Sequence, residues 1–496
     1  MLRDKKENIP PSGVLALLGI VGVGCLILMA CFPAEGIGFG ESFRIKFKTL
    51  ASIGDTTQSE HGSIAGNIDD YLTRYDSVPQ AANPHDSLKV IRPLNPASIQ
   101  FRDGDASPLY TFFNELEKLS GEQDAVHILH YGDSQIEIDR ITGVIRSRFQ
   151  DKFGGRGPGL ITPVPIAASA AITQDQSGNW KRYTAYGFQD QKSAHSSFGV
   201  MASYGRYLPA KDASAIHSTD SVTAWLEFSP SYMAAGSARL YSKAVLYAGN
   251  NLADVRVEIM ADDSSLGSKI LPAGSTVKAY SWNLSSTPEK LRLIFHGADS
   301  PDVHGISFED GSGVYMHNIA LRGSSGNIFT KINASSFEAA SSRMSPSLVI
   351  LQFGGNTVPY IESSKAAADY GSFFRSQIQY LKKIYPGAAF IVIGPSDMST
   401  RINGVYQTWP FLEEVRNALR DNALAEGCGF WDMYEVMGGK NSMISWVQNN
   451  PPYAAPDYTH FTPKGARKIA EIFFNSLYSE YEAWYSAKLS SALSPF

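Results

Sequence analysis

Cysteine is scarce in this chain, and basic runs and metal- or nucleotide-binding motifs are missing. Two of the three cysteines, Cys25 and Cys31, lie in one apolar segment, so the rest of the 496-residue chain has no disulfide framework. The third, Cys428, is expected to be a small buried residue. A net charge of −5 without a basic block argues against nucleic-acid binding. Without an HExxH pattern or a phosphate-binding loop, the sequence predicts neither a metal site nor a cofactor.

Long apolar runs are also scarce, and the one that is present lies near the N-terminus. Residues 14–32 are apolar and uncharged, a length that matches the roughly 20 residues needed to cross a bilayer. Basic residues precede this run, so we expect a signal anchor (residues 1–35) with the bulk of the chain on the periplasmic or extracellular side of the cytoplasmic membrane. A cleaved signal peptide and a lipoprotein modified at Cys31 are the alternatives. Residues 36–95, polar and aperiodic, are interpreted as a linker.

Apolar runs of strand length alternate with amphipathic stretches in two parts of the chain. The predicted strands are residues 126–131, 314–321, 347–353, 389–394 and 429–432. The predicted helices are residues 108–119, 136–149, 363–384, 409–425 and 463–481. This alternation predicts an α/β domain with a doubly wound parallel sheet, formed by residues 96–180 and 315–496.

The segment between these two parts has a different pattern. Residues 181–314 contain short alternating stretches, such as 222–228 and 290–295, separated by Gly, Asn, Asp, Ser and Pro. Short strands at this spacing favour a β-sandwich. Because the segment interrupts the α/β pattern, we interpret it as an inserted β-sandwich domain.

Ser134 follows the first predicted strand directly, in the sequence Gly132-Asp133-Ser134-Gln135. A helix is predicted to begin just after it. A serine at such a turn is expected at a helix N-terminus, where free backbone N–H groups favour negative charge. The alternative is a helix cap, for which Asp and Ser are also favoured.

Three further polar segments occupy comparable positions. A glycine-containing turn, with Gly323 or Gly326, follows the strand at 314–321, and Asn356 follows the strand at 347–353. Asp457 and His460 immediately precede the last predicted helix. In open α/β sheets, sites form beyond the carboxyl ends of the strands. A serine, a histidine and an aspartate together are the residue types that nucleophilic hydrolases use for catalysis.

The order and spacing of these pieces resemble the SGNH (GDSL-type) hydrolase family, whose fold is a three-layer, flavodoxin-like sheet. The resemblance covers residues 96–180 and 315–496. It implies that Ser134 attacks an ester carbonyl, that His460 is the base and that Asp457 orients His460. It also implies that the N–H groups of Ser134 and Gly323 and the amide of Asn356 form the oxyanion hole.

A narrower resemblance, to peptidoglycan O-acetylesterases, is carried by residues 130–135, by residues 154–159 and by the β-insert. It implies a membrane-anchored serine esterase that removes acetyl groups from peptidoglycan or another polysaccharide. The alternatives are a polysaccharide O-acetyltransferase, which uses the same acyl-serine, and a non-catalytic glycan-binding protein. Gln135 departs from the family pattern, because many relatives carry leucine there.

Other chemically capable residues have simpler explanations. His127 and His130 lie on the strand that leads to Ser134 and are expected in the core or behind the site. Four aromatic residues in or directly beside the predicted insert are also expected in the core, with stacking on sugars as the alternative: Trp180, Trp225, Tyr232 and Trp282.

Overall fold

The computed structural model describes residues 37–39, 43–45, 95, 97–119, 125–187, 193–210, 221–341 and 344–493. Contacts divide the chain into two units, Met1–Gly66 and Asn67–Phe496. In the first unit, β1 (Ile37–Phe39) pairs antiparallel with β2 (Phe43–Ile45). The predicted anchor, residues 14–32, lies outside the described residues. Of the helices within the described ranges, none is both long and apolar enough to cross a membrane.

The second unit alternates strands and helices at its two ends and is almost entirely β-structure in between. Its strands are β3 (Ala125–Gly132), β4 (Gly159–Ile161), β5 (Ile172–Gln176), β6 (Lys181–Thr184), β7 (Ser203–Arg206), β8 (Val222–Pro230), β9 (Lys243–Gly249), β10 (Val255–Ala261), β11 (Ser264–Leu271), β12 (Lys278–Asn283), β13 (Leu291–Gly297), β14 (Asp302–Glu309), β15 (Gly313–Ala320), β16 (Pro346–Gln352), β17 (Ala389–Ile393), β18 (Ser399–Ile402), β19 (Val405–Thr408) and β20 (Gly429–Trp431). Its helices are α1 (Tyr110–Lys118), α2 (Thr142–Phe153), α3 (Ala334–Ser341), α4 (Ser364–Ile384), α5 (Leu412–Ala425), α6 (Met433–Met437), α7 (Ser442–Gln448) and α8 (Pro463–Leu493).

Five strands form a parallel sheet in the spatial order β15-β3-β16-β17-β20. Numbered along the chain, this order is 2-1-3-4-5, the arrangement of flavodoxin-like doubly wound folds. The prediction of an α/β protein with a parallel sheet is therefore confirmed. The order reverses between β3 and β16, which are neighbours in the sheet, and a crevice forms at such a reversal.

Helices cover both faces of this sheet because its strands are apolar on both sides. On β3, Val126 and Ile128 pack with residues of α1, α2 and α8, whereas Leu129 and Tyr131 face the opposite layer with residues of α4 and α5. The result is three layers. Cys428, 1% exposed, lies in the second of these cores, as predicted. Burial raises the pKa of its thiol to about 12.

The middle of the chain forms two antiparallel sheets. One has the order β11-β10-β13-β8-β5 and the other β12-β9-β14-β7-β6, with β4 added beside β14. Alternate residues of both sheets, such as Leu226 and Leu246, meet in one core, so the two sheets form a sandwich. The antiparallel strands begin at Gly159, before the predicted boundary at residue 181. The proposed domain limits remain a prediction.

The turn after β3 differs from the expectation. Glu137–Asp139 form one turn of 3₁₀ helix, and α2 begins only at Thr142. Ile138 and Asp139 have φ values of 57° and 67°, left-handed conformations that interrupt a helix. The expectation that Ser134 lies at the N-terminus of an α-helix is therefore wrong.

Candidate active site

The residues predicted to act together converge at the reversal of strand order. Ser134 follows β3 and Asn356 follows β16, and these strands pair side by side, with Gly132 opposite Gln352. A cavity of about 320 Å³ opens at this point, and Ser134, Asn356, Asp457 and His460 all line it. The fold thus unites groups that are separated by as many as 326 positions along the chain.

Ser134, His460 and Asp457 form a continuous chain of hydrogen bonds. Ser134 Oγ lies 2.8 Å from His460 Nε2, and His460 Nδ1 lies 2.8 Å from Asp457 Oδ2. With a proton on Nδ1, the imidazole donates to the carboxylate and accepts the serine proton on Nε2. His460 is part-exposed, so a substrate has access to the pair.

Asp457 is held in its ionised form by the backbone around it. Burial opposes ionisation, but Asp457 Oδ1 accepts hydrogen bonds from the N–H groups of His460 and Thr459, each at 3.0 Å. Together with the bond to the imidazole, these interactions outweigh burial and lower the pKa of Asp457. The carboxylate therefore stays charged and fixes the tautomer of His460 at neutral pH.

The loop that carries His460 is fastened by side chains of the turn that carries Ser134. Gln135 Nε2 donates to Thr459 O at 2.6 Å, and Arg140 Nη1 donates to Phe461 O at 3.3 Å. The peptide carbonyls on both sides of His460 are thus bound from the same turn. Sequence reasoning missed this role of Gln135 and Arg140, because nothing in the sequence indicates which distant carbonyl a side chain will reach.

The other side of the loop is held by the hairpin β18–β19. Ser399 N–H donates to Tyr458 O at 3.0 Å, and the ring of Tyr406 stacks on Tyr458 with centroids 3.7 Å apart. Tyr458 itself has a φ of 57°, a conformation that a tyrosine rarely adopts. These contacts stabilise the turn that brings Asp457 and His460 together.

Asn356 reaches the cavity, but its amide is already engaged. Gly354, with a φ of 124°, adopts a conformation that favours glycine and turns the chain away from β16. Asn356 Nδ2 then donates to Asp133 Oδ2 at 3.0 Å and to Ser324 O at 3.3 Å. An oxyanion would have to replace one of these acceptors, and the longer bond to Ser324 is the weaker one.

Asp133 is a buried carboxyl that supports the turn that carries Ser134. It is 4% exposed, accepts from Gln135 N–H at 2.9 Å and binds the amide of Asn356. Burial raises its pKa to about 6, although the hydrogen bond from Gln135 N–H, the nearby His460 and the bond from Asn356 act in the opposite direction.

Gly323 lies in the turn after β15, with a φ of 75°. In the same turn, the N–H of Gly326 donates a hydrogen bond to Ser324 Oγ at 3.1 Å, and the N–H of Ser324 donates one to Leu321 O at 2.9 Å. This leaves Gly323 rather than Gly326 as the candidate donor. Among the described residues that line the 320 Å³ cavity, however, Gly323 does not appear. Its part in an oxyanion hole stays a prediction.

The histidines on β3 lie behind the site. His127 Nδ1 is 3.0 Å from His317 Nε2, and His130 Nε2 is 3.1 Å from Gln352 Oε1. Burial lowers the pKa of His130 to about 3 and that of His127 to about 4, so both rings stay neutral. They are core residues, as the sequence predicted.

The four aromatic residues singled out in the insert differ in exposure. Trp180 and Trp282 are buried at 4% and 6% exposure, as expected for core residues. Trp225 is part-exposed and is covered by the guanidinium of Arg292, 4.7 Å from its ring. Tyr232 is 87% exposed, so the expectation of a core position is wrong for this residue.

Comparisons with known proteins give a match in structure and none in sequence. No family model matches the chain, and no curated protein matches its sequence. Among solved structures, that of a peptidoglycan O-acetylesterase matches 78% of this chain and 99% of its own, with a TM-score of 0.59 and 20% identity. This chain has the SGNH/GDSL-like esterase fold. The resemblance predicted from the four motifs is confirmed at the level of the fold.

Two carbohydrate esterases match this chain with much lower scores. A family two carbohydrate esterase from Clostridium thermocellum, in complex with cellohexaose, matches 53% of this chain and 94% of its own, with 9% identity and a TM-score of 0.24. An acetyl xylan esterase from the rumen bacterium Butyrivibrio proteoclasticus matches 62% of this chain and 98% of its own, with 8% identity and a TM-score of 0.24.

Proposed function

We propose that this protein is a serine esterase that removes acetyl groups from O-acetylated peptidoglycan or another polysaccharide. One observation carries the proposal: the hydrogen-bonded chain from Ser134 through His460 to Asp457 lies in an open cavity at the strand-order reversal of an SGNH/GDSL-like esterase fold. The resemblance to a peptidoglycan O-acetylesterase supports the choice of an acetylated glycan as substrate.

In the proposed reaction, Ser134 Oγ attacks the acetyl carbonyl while His460 Nε2 takes the hydroxyl proton. Asp457, ionised at neutral pH, stabilises the imidazolium that forms. The tetrahedral oxyanion receives hydrogen bonds from the Ser134 N–H and from Asn356, whose amide exchanges Ser324 O for the oxyanion. His460 then protonates the departing sugar oxygen, which leaves an acetyl-serine.

Deacylation repeats these roles with water. His460 removes a proton from water as the water oxygen attacks the acetyl-serine carbonyl. Collapse of the second tetrahedral intermediate breaks the bond to Ser134 Oγ, which regains its proton from His460. The products are acetate and the deacetylated sugar, and each turnover consumes one water molecule.

The test compares Ser134 with a matched serine elsewhere in the chain. Acetate release from O-acetylated peptidoglycan is measured for the wild type, Ser134→Ala and Ser193→Ala, since Ser193 is hydrogen-bonded to a histidine that itself pairs with an aspartate. We expect Ser134→Ala to lower kcat by roughly 10⁴–10⁶-fold. Ser193→Ala should keep wild-type turnover, and equal rates for the wild type and Ser134→Ala would refute the proposal.

The fate of the acyl group is resolved in the same assay. With an activated acetyl donor and a glycan acceptor, an esterase releases free acetate in excess over acetylated glycan. The opposite ratio would identify a transferase that uses the same acyl-serine. A fluorophosphonate probe that leaves folded wild-type protein unlabelled at Ser134 would instead favour a non-catalytic glycan-binding protein.

We also propose that residues 1–35 anchor the protein in the cytoplasmic membrane, with the esterase domain on the periplasmic or extracellular side. The apolar run at 14–32 and the preceding basic residues support this arrangement. Protease added to intact spheroplasts should digest the domain. A domain that stays protected until the cells are lysed would contradict the orientation.

A further inference from the structure

Tyr360 is one of the most exposed large side chains of the described part of the chain, and it lines the cavity that contains Ser134. The residue is 82% exposed, and it lines the same cavity as Ser134 and Asn356. A large aromatic ring that stays in water at the mouth of a cavity buries little apolar area, so it contributes little to the stability of the fold. Its ring face is available to whatever enters the cavity.

The backbone under Tyr360 is rigid. Val358–Tyr360 form a single 3₁₀ turn that begins two residues after Asn356, and the N–H of Tyr360 donates a hydrogen bond to Thr357 O at 2.9 Å. Val358 is 1% exposed and is anchored in the core, while Pro359 restricts the turn. Asn356 and Tyr360 therefore belong to one short segment, and both line the cavity.

The opposite wall of the cavity mixes apolar and polar groups. Met398 and Trp409 supply apolar surface, and Trp409 N–H is donated to Met398 O at 3.0 Å. Ser396 lines the same cavity and accepts a hydrogen bond from Gln135 Nε2 at 3.3 Å. Alternating apolar and hydrogen-bonding surface matches a sugar ring, which has an apolar C–H face and a rim of hydroxyl groups, better than it matches a lipid chain.

We propose that Tyr360 is the stacking platform of a pyranose-binding subsite, which receives the sugar ring that carries the acetyl ester. The proposal rests on the esterase function proposed above and assigns its leaving-group side. The cavity of about 320 Å³ has room for one sugar ring and its acetyl group. Because Tyr360 touches only the sugar, it contributes to binding of the glycan and not to the chemistry at the acetyl carbonyl.

Two substrates separate these contributions. O-acetylated chitotriose presents a pyranose to Tyr360, whereas ethyl acetate presents the same acetyl group without a ring. Tyr360→Ala should raise KM for the oligosaccharide about tenfold, since stacking on one aromatic ring typically contributes a tenfold change or more in affinity. The same variant should leave kcat for the oligosaccharide and kcat/KM for ethyl acetate unchanged, and Tyr360→Phe should behave as the wild type on both.

Tyr232→Ala is the matched control, because Tyr232 is 87% exposed and is absent from the lining of the Ser134 cavity as the described residues define it. It should leave both substrates unaffected. Three results would each overturn the proposal. They are an unchanged KM for O-acetylated chitotriose in Tyr360→Ala, an equal loss of kcat/KM on both substrates, and the same rise in KM in Tyr232→Ala.

A binding measurement keeps this inference separate from the esterase proposal. The affinity of Ser134→Ala protein for acetyl-free chitotriose is measured by calorimetry, with and without Tyr360→Ala. Weaker binding in the double variant supports the subsite even if the wild type turns over neither substrate, a result that would count against the esterase function alone. Equal binding would overturn the subsite.

Discussion

Among the described residues, two clusters combine serine, histidine, aspartate and asparagine, and their hydrogen bonds are arranged differently. In the parallel-sheet domain, His460 uses one ring nitrogen for Asp457 and points the other at Ser134 Oγ. In the sandwich, His195 Nε2 lies 2.9 Å from Asp302 Oδ2, and its Nδ1 accepts from Ser197 N–H at 3.2 Å.

The serine of the second cluster faces away from its histidine ring. Ser193 Oγ donates to the backbone carbonyl of His195 at 2.6 Å and lies 2.7 Å from Tyr204 Oη. Asp302 is completely buried and is also bound by Arg206 at 2.8 Å. The same residue types thus connect neighbouring strands of one sandwich sheet in one place, and in the other they place a serine hydroxyl against a ring nitrogen of histidine. What distinguishes them is a ring nitrogen directed at a serine, which composition alone does not reveal.

Removing the orienting acid should break the first cluster most severely. In Asp457→Asn, the amide no longer fixes the tautomer that leaves Nε2 free to accept a proton, so we expect kcat to fall by about 10⁴-fold. Acetate release from O-acetylated glycan measures the loss, and thermal unfolding serves as the control for folding. A loss of less than tenfold would show that His460 works without Asp457.

The corresponding change in the sandwich should affect stability and leave turnover intact. Asp302→Ala leaves Arg206 buried without one of its two partners, so the free energy of unfolding should fall by about 3–5 kcal/mol. Urea unfolding measures the fall. Turnover per folded molecule, determined at low temperature, should match that of the wild type. A loss of turnover as large as that of Asp457→Asn would contradict a purely structural role for Asp302.

The asparagines offer a third comparison. Asn250 Nδ2 donates to Asp302 Oδ2 at 2.7 Å, just as Asn356 donates to Asp133. If Asn356 exchanges Ser324 O for the oxyanion, Asn356→Ala should cost roughly 10²–10³-fold in kcat. Asn250→Ala should leave kcat unchanged and lower only the stability, so similar kinetics for the two variants would contradict the assignment.

The buried carboxyls of the two clusters should respond to pH in opposite directions. Burial raises the pKa of Asp133 to about 6, so its contribution to stability is complete at low pH and is lost as the pH rises from about 4 to about 6. Burial also opposes ionisation of Asp302, but the bonds from His195, the nearby His304 and Arg206 outweigh it and lower its pKa, so its contribution is present above about pH 4 and is lost on acidification.

Substitution tests this difference. In the wild type, ionisation of Asp133 should lower the unfolding free energy by roughly 3 kcal/mol between about pH 4 and pH 6, and this decrease should be absent in Asp133→Asn. Asp397, whose pKa is also raised to about 6 by burial, keeps its own pH-dependent contribution in that variant and serves as the internal reference. Urea unfolding at a series of pH values provides the measurement. An unchanged slope in Asp133→Asn would mean that the carboxyl ionises freely in the folded protein.

The sequence predicted the parallel sheet because each of its strands is an apolar run followed by a polar turn, and residues 126–131, 347–353 and 389–394 lie within one or two residues of β3, β16 and β17. The candidate site followed from the same pattern, since Ser134 and Asn356 each come directly after a strand. What the sequence did not reveal depends on contacts distant in the chain. The bonds from Gln135 and Arg140 to the His460 loop, the engagement of Asn356 by Asp133, and the exposed ring of Tyr360 are all set by tertiary packing.

The start of α2 was missed for a local reason. Residues 136–149 have helical spacing of their apolar positions, but the left-handed conformations of Ile138 and Asp139 delay the helix to Thr142. The buried ion pair between Asp139 and Arg146, with both bonds at 2.8 Å, holds this conformation. Such an ion pair outweighs the local helix propensity, and it cannot be recognised from the spacing of apolar residues.

The sandwich sheet that contains β9 has apolar residues on both faces, and this limits how freely the insert can be exchanged. Leu246 faces the partner sheet, while its neighbours Val245 and Tyr247 belong to the same core as Leu129 and Val349 of the parallel sheet. Excising the insert would expose apolar residues of the parallel-sheet domain, and transplanting the insert would expose its own apolar residues. The insert is therefore an integral part of the folded core, and chimaeras between relatives should be joined outside both parts.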